Sequence, residues 1–314
     1  MTRAVNKLLI LGGTGFVGRA LCARWLARAG ASRVTVPTRS LMRAQRLPTS
    51  LPGLTLVEAD VHDPVRLARL VEGHDAVVNL VAILHGSAAE FHRAHVELPR
   101  TLTTACRTAG VRRVVHVSAL GVGSGSGASA DAPSRYLRSK AEGESVLTDA
   151  GLDLTILRPS VIYGADDHFL NLFARLQKFA PLVPLACAEA LFQPVWVEDV
   201  AAGIVACLEQ PVTTGQIFEC AGPDVFPLAE LVRLAGRWSG HPRLVVPLPA
   251  GVGRLQAALM AHLPGEPLMS PDNLDSMRTP NVASGRLPTL TDLGIAPARL
   301  ESVAPGYLSI EPKR

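Results

Sequence analysis

Aromatic residues make up only 4% of this 314-residue chain, and its first 57 residues contain no Asp or Glu. The basic residues form no run and have no aromatics interleaved with them, which excludes a nucleic-acid surface of the usual pattern. No uninterrupted apolar run approaches the ~18 residues that a membrane span requires. The five cysteines, Cys22, Cys106, Cys187, Cys207 and Cys220, show no CxxC or Cys/His ligand spacing. A reduced, cytosolic-type compartment is therefore expected, with no disulfide or zinc framework. The chain enters the run Lys7 to Leu11 within six residues, leaving no room for a signal peptide ahead of it. Asp166, Asp167 and His168 are adjacent but have no distant partner, so no metal site is expected.

What is present is a globular composition, 48% apolar and 18% charged, long enough for about two folding units. Residues 1–57 hold nine Lys or Arg, whereas residues 58–314 hold 22 basic and 27 acidic residues. That asymmetry predicts an anion near the first segment, and a bound phosphate suits scattered arginines better than a nucleic acid does. Apolar runs recur at Lys7 to Leu11, Arg33 to Val36, Leu54 to Val57, Ala76 to Val81, Arg113 to Val117 and Leu154 to Leu157. Helical periodicity fills the gaps, as in Val17 to Ala29 and Ala88 to Ala109. Continuous apolar strands alternating with helices predict a doubly wound α/β domain around a parallel sheet, over residues 1–164. Residues 191–221 are expected to return to that sheet, through strands at Phe192 to Val197 and Gln216 to Cys220. Residues 165–190 and 222–314 would form a smaller C-terminal α/β cap. Gly121 to Ser129 reads as a surface loop.

The first strand ends in Gly12-Gly13-Thr14-Gly15-Phe16-Val17-Gly18 and passes directly into a helix. Glycines at 12, 15 and 18 permit a tight turn, close approach to a pyrophosphate and close helix–strand packing, and the helix N-terminus offers its N–H groups to the anion. At the end of the second strand an NAD site would carry a carboxylate for the ribose hydroxyls. This chain has Val36-Pro37-Thr38-Arg39-Ser40, with Arg43 one turn further on. A guanidinium gains little from hydroxyls and much from a 2′-phosphate, so NADP(H) is favoured. The other reading makes Arg39 an ordinary surface arginine and leaves NAD(H) acceptable. Asp60, with Val61 beside it, suits either the adenine edge or a turn.

Later motifs resemble the extended and atypical short-chain dehydrogenase/reductases. They are His116-Val117-Ser118-Ala119, Tyr136-Leu137-Arg138-Ser139-Lys140, and Arg158-Pro159-Ser160-Val161-Ile162-Tyr163-Gly164. With three tyrosines and four lysines in the chain, a chance Tyr-xxx-Lys pair has odds of roughly 4%. The resemblance implies Tyr136 as proton donor and Lys140 as the holder of the nicotinamide ribose, with Ser118 a third catalytic candidate. It also implies cofactor contacts at Gly12, Thr14, Gly15, Phe16, Val17, Gly18, Arg39, Arg43, Asp60, Val61, Val81, Tyr136, Lys140, Arg158, Pro159 and Ser160. Two departures weaken the catalytic reading: Ala119 stands where the family carries Ser or Thr, and His95 replaces an Asn. Removing a donor aimed at developing negative charge costs about 10²- to 10³-fold.

Together with Phe169-Leu170-Asn171, Gln193-Pro194-Val195 and Leu290-Thr291-Asp292-Leu293-Gly294-Ile295, these motifs are more closely similar to the Rossmann accessory-subunit family of respiratory complex I, over about residues 6–300. That resemblance implies a tightly held NADPH with weak or no turnover. It also implies a respiratory or quinone-synthesis complex as partner, a quinone or isoprenoid ligand, and a cytoplasmic site that is peripheral on the inner membrane. The competing expectation is a working NADPH-dependent reductase or epimerase/dehydratase on a lipid-like, quinone or nucleotide-sugar substrate; a redox-sensing regulator is the third. Leu244 to Leu263 reads either as a cap helix or as a helix on a membrane or isoprenoid ligand. Asp166 to His168 would cap the helix near Phe169, and Glu198 with Asp199 the helix that follows them.

Overall fold

The protein is described from a computed structural model, over residues 5–28, 32–42, 52–123, 132–260 and 269–309. Runs that are apolar on both faces form the central strands, as expected of a sheet covered on both sides. In chain order the first half consists of β1 (Lys7–Leu11), α1 (Phe16–Leu26), β2 (Arg33–Thr38), β3 (Leu54–Glu58), α2 (Pro64–Val71), β4 (Ala76–Asn79), α3 (Ala88–His92), a π turn at Arg93–Glu97, α4 (Leu98–Ala109), β5 (Arg113–Val117), α5 (Arg135–Thr148) and β6 (Asp153–Pro159). The second half adds β7 (Ile162–Tyr163), α6 (Leu170–Phe179), β8 (Leu182–Leu185), β9 (Leu191–Phe192), β10 (Val195–Trp196), α7 (Val197–Glu209), β11 (Ile217–Cys220), β12 (Phe226–Pro227), α8 (Leu228–Trp238), β13 (Leu244–Pro247), α9 (Ala250–Met260), α10 (Pro271–Ser276), α11 (Leu300–Val303) and α12 (Pro305–Leu308).

Seven strands make one sheet in the order β11-β6-β5-β4-β1-β2-β3, and every ladder in it is parallel. This is the doubly wound architecture read from the sequence. The order reverses between β1 and β4, so a crevice opens beyond the carboxyl ends of these strands. Leu8, Ile10, Val34, Val36 and Val78 pack beneath α1 and α7, while Leu9, Leu11, Val77 and Val114 pack beneath α2 and α4. A separate apolar core joins α6, β8, α8, β13, α11 and α12 through Phe173, Val183, Leu231, Val245, Leu300 and Leu308.

Of residues 191–221, only β11 enters the main sheet. β10 pairs with β7 and β9 with β12, each as a separate two-stranded ladder. Pro194 has no N–H to give to a central ladder, and it interrupts the run that reads as one strand. The stretch Ala88 to Ala109 is likewise not one α-helix, because Arg93–Glu97 takes the wider π form. Asp167 caps the start of α6, accepting from Phe169 N at 2.9 Å and Asn171 N at 3.2 Å. Glu198 and Asp199 do not cap α7. The helix starts two residues earlier than expected, and Asp199 accepts from the distant Ala298 N at 2.8 Å.

The charge asymmetry has an internal answer. Arg24 on α1 and Arg28 just past its end face Glu198 and Glu209 on α7, and Arg19 reaches Asp166 at 2.8 Å. Three of the nine early basic residues therefore complement later acids in the same chain. No helix among the described residues is long and apolar enough to cross a membrane. Leu244 to Leu263 divides into β13 and α9, where Ala257 is buried and Val252 and Leu255 are exposed. Its residues 261–263, and most of the loop expected at Gly121 to Ser129, lie outside the described residues.

Candidate functional site

The turn after β1 is built from backbone. Gly12 has φ +79°, and its carbonyl accepts from Gly15 N at 3.0 Å. A Cβ on Gly18 would sit 2.5 Å from the Gly12 carbonyl oxygen and from the Gly13 backbone, so only glycine lets α1 begin this close. Gly15 is the N-cap of α1, no side chain among the described residues caps its first N–H groups, and no acid lies in its first turn. Such an end suits an anion. The side chains of Phe16 and Val17 point elsewhere. Val17 packs into the core, and the Phe16 ring lies where a Cβ on Gly164 would meet it at 3.0 Å. Thr14 presents its carbonyl to Arg19 at 3.3 Å.

At the end of β2, Thr38 is buried, and Arg39 is exposed and makes no ion pair among the described residues. Arg43 lies outside the described residues. The Asp60 carboxylate accepts from His62 N at 3.0 Å and lies 3.7 Å from Arg93, a turn that leaves Asp63 to cap α2. Burial, then Arg93 and Arg39, hold His62 below the usual histidine range against the pull of Asp60. Arg39 thus lies close enough to His62 to disfavour its charge. Val61 and Val81 pack on the same core, and Val81 N donates to Asn79 Oδ1 at 3.2 Å.

The opposite end of the crevice is made of side chains. Ser134 caps α5, and Asp272 of α10 accepts from Arg135 N at 2.7 Å and Tyr136 N at 3.1 Å. Tyr136 and Lys140 share one face, one turn apart. The Tyr136 ring stands edge-on to His95 and to Phe91, and burial pushes its phenol up to about 12. Lys140, 1% exposed, donates from Nζ to the Val117 carbonyl at 2.8 Å. Burial brings its ammonium down to about 8, with Glu144 opposing.

One further turn along, Glu144 holds Arg158 of β6 by two bonds, Nε to Oε1 at 3.0 Å and the Nη2 group to Oε2 at 2.5 Å. The Arg158 guanidinium is therefore engaged within the protein. Pro159 is buried in β6, and Ser160 Oγ donates to Asn281 Oδ1 at 2.6 Å.

Ser118 Oγ is buried and has no hydrogen-bond partner among the described residues, a group waiting for one. Ala119 packs with Val122, Leu137 and Ala141. His95 Nε2 accepts from Ile83 N at 3.1 Å, so Nδ1 carries the proton and donates to Ser139 Oγ at 2.8 Å; that hydroxyl donates to the Tyr136 carbonyl at 2.9 Å. A Cβ on Gly143 would collide with the His95 carbonyl, which shows how tightly α5 lies on the π turn. Glu144 could have been found from the sequence, one turn beyond Lys140. Asp272 and Asn281 could not, because over 100 residues separate them from their partners.

A glycine turn at the switch point of a parallel sheet, with a Tyr–Lys pair across the crevice, defines a dinucleotide-fold protein of the dehydrogenase/reductase type. The chain belongs to the NAD dependent epimerase/dehydratase family, which it matches over residues 8–221. It is 34% identical over 299 residues to NADH dehydrogenase (ubiquinone) 1 alpha subcomplex subunit 9, mitochondrial, of Mus musculus, covering 93% of this chain and 77% of that one. Over 251 residues it is 30% identical to the ceramide reductase of Caulobacter vibrioides, covering 78% and 74%. Among solved structures it is similar to the dTDP-glucose 4,6-dehydratase DesIV of Streptomyces venezuelae, solved with NAD bound. That match has a TM-score of 0.67 and 28% identity over 78% of this chain and 85% of the other.

Proposed function

We propose that this chain is an NADP(H)-binding, atypical short-chain dehydrogenase/reductase serving respiratory complex I or ubiquinone metabolism, with weak or no turnover. The residues fit the cofactor on the turn that a Cβ would fill and on the orphaned Ser118 hydroxyl. The backbone of residues 12–18 would seat the pyrophosphate, Arg39 the 2′-phosphate, Asp60 the adenosine, and Lys140 the nicotinamide ribose. When bound, the cofactor supplies hydride chemistry. Of the chain's own groups, Tyr136 offers the proton; Tyr163 and Tyr307 donate to the Ala298 carbonyl and Asp167. The similarity to a subunit named for complex I supports a respiratory or quinone-linked partner at a membrane surface, with a quinone or isoprenoid as ligand.

The single observation that carries the low-turnover reading is Ala119. Where a hydroxyl would meet a reacting oxygen, a methyl group packs into an apolar cluster, while the neighbouring phenol stays protonated. The test is mass spectrometry of the nucleotide retained through gentle purification, followed by its oxidation with a panel of quinones and carbonyl compounds. Retained NADPH without oxidation is the expected result. The second reading, an active reductase on a lipid-like carbonyl, is favoured by the intact Tyr136–Lys140 pair and by the similarity to a ceramide reductase. Steady turnover abolished by Tyr136→Phe would establish it.

A further inference from the structure

We propose that Arg19 is a further cofactor-binding residue that grips the pyrophosphate, and that Asp166 is a rival anion built into the fold, competing with the pyrophosphate for that guanidinium. The inference rests on the dinucleotide reading above and deepens it. A pyrophosphate is doubly charged. The turn proposed to seat it offers backbone N–H groups and the partial charge of a helix end, worth about half an elementary charge. A full cation beside the turn would complete the balance.

Arg19 is placed for that task. Its backbone N donates to the Gly15 carbonyl at 3.0 Å, which sets the residue one turn into α1. Helical side chains lean toward the N-terminus. This one folds back until Nη1 donates to the Thr14 carbonyl at 3.3 Å, inside the glycine turn itself. Its Nη2 donates to Asp166 Oδ2 at 2.8 Å. The Arg19 side chain is 17% exposed and that of Asp166 63%. A carboxylate so exposed keeps most of its water and holds a cation only weakly. A phosphate accepts the planar guanidinium fork through two parallel bonds and is drawn by the helix end as well, so it can take Arg19 from Asp166.

Asp166 is kept in this contest by its neighbours. Asp167 accepts from Gly164 N at 3.1 Å, from Phe169 N and Asn171 N, and from the Tyr307 hydroxyl at 2.8 Å, which fixes the loop on both sides. Gly164 lies against the ring of Phe16, the first residue of α1. Asp166 is thereby held beside the start of α1, where solvent screens its direct repulsion of an anion and its hold on Arg19 is the main effect. Two adjacent acids thus have opposite parts: Asp167 builds the loop, and Asp166 restrains the affinity of the site.

Titration calorimetry on the nucleotide-free full chain with NADPH, NADH and ADP-ribose tests this, the last because it carries the pyrophosphate without the nicotinamide. Arg19→Met should weaken all three by a similar factor, about tenfold. Asp166→Asn should tighten all three, about threefold, the worth of an exposed ion pair given up on binding. In the double variant that gain should fall below about 1.5-fold, because the competition needs both partners. Asp166 is exposed, so its replacement spares the fold. If Arg19→Met does not fold, Arg19→Lys replaces it, with a smaller loss of affinity and a smaller gain from Asp166→Asn. Unchanged or weaker binding by Asp166→Asn, or a gain that persists in full when Arg19 is changed, overturns the inference while leaving the dinucleotide reading intact. No binding of any of the three ligands by the wild type overturns that reading and the inference with it.

Discussion

The two ends of the crevice are built from opposite materials. At the end proposed above for adenosine the working surface is backbone and one exposed guanidinium, Arg39, that no described residue neutralises. At the end proposed for the nicotinamide nearly every polar group already has a partner within the fold: Lys140 on Val117, Arg158 on Glu144, Ser160 on Asn281, His95 between Ile83 and Ser139. One end waits for a ligand to satisfy it, and the other, the Ser118 hydroxyl apart, is satisfied before any ligand arrives. Substitutions at the nicotinamide end should thus register first as stability, and those at the adenosine end first as affinity.

Arg158→Ala should give the largest effect. It leaves the Glu144 carboxylate buried and uncompensated, which costs about 3–5 kcal/mol. Urea unfolding reads it, and Arg158→Lys should recover only part, because one ammonium cannot replace the bidentate fork. If the loss were confined to dinucleotide affinity, Arg158 would belong with the cofactor contacts after all. Gly18→Ala comes next. Its Cβ would meet backbone atoms that cannot swing aside, so α1 must shift at about 1–3 kcal/mol. Calorimetry should show affinity for NADH and NADPH falling together, since the turn contacts what both share.

Lys140 sharpens the contrast through pH. Its ammonium is brought down from 10.5 to about 8 by burial, so the unfolded chain binds more protons than the folded one between those values. Stability attributable to this group therefore rises as pH rises through 8 toward 10.5, and the cost of burying the charge is constant below 8. Lys140→Met removes the cost. The variant should gain on the wild type at pH 7, with the gap closing across that window in unfolding curves. A gap independent of pH would mean that burial does not lower the ammonium below its ordinary range.

The adenosine end was the more legible half, for a physical reason. Glycines at 12, 15 and 18 act by lacking a side chain, and a missing carboxylate after β2 is visible as an absence in the string itself. The sheet was legible for a similar reason, because strands covered on both faces must be apolar throughout. The nicotinamide end depends on pairings that the string does not mark. Asp272 reaches the start of α5 across 136 residues. The π turn that swings His95 beside Tyr136 leaves the helical periodicity of Ala88 to Ala109 almost unchanged. Arg158 reads as a cofactor contact by resemblance, while its partner Glu144 lies in plain view at the next turn after Lys140. Within 191–221, the strand expected at Gln216 to Cys220 joins the sheet, whereas the one expected at Phe192 to Val197 does not, because Pro194 divides that apolar run.

Arg39→Ala is the smallest change by one measure and the most decisive for the comparison. Arg39 is exposed and unpaired among the described residues, so its removal should leave stability within about 0.5 kcal/mol of the wild type. Affinity should divide by ligand. NADPH would lose the charge-assisted bonds to its 2′-phosphate, about tenfold or more at low salt. NADH, which has only hydroxyls there, would bind as before, and raised ionic strength would erode the wild-type preference for NADPH in the same direction. Equal losses for both ligands would make Arg39 a general electrostatic contributor and leave the choice of dinucleotide to the neighbouring His62 and Arg93. A loss of stability without a change in affinity would contradict the division between the two ends, because a residue with no partner in the fold would then be holding the fold together.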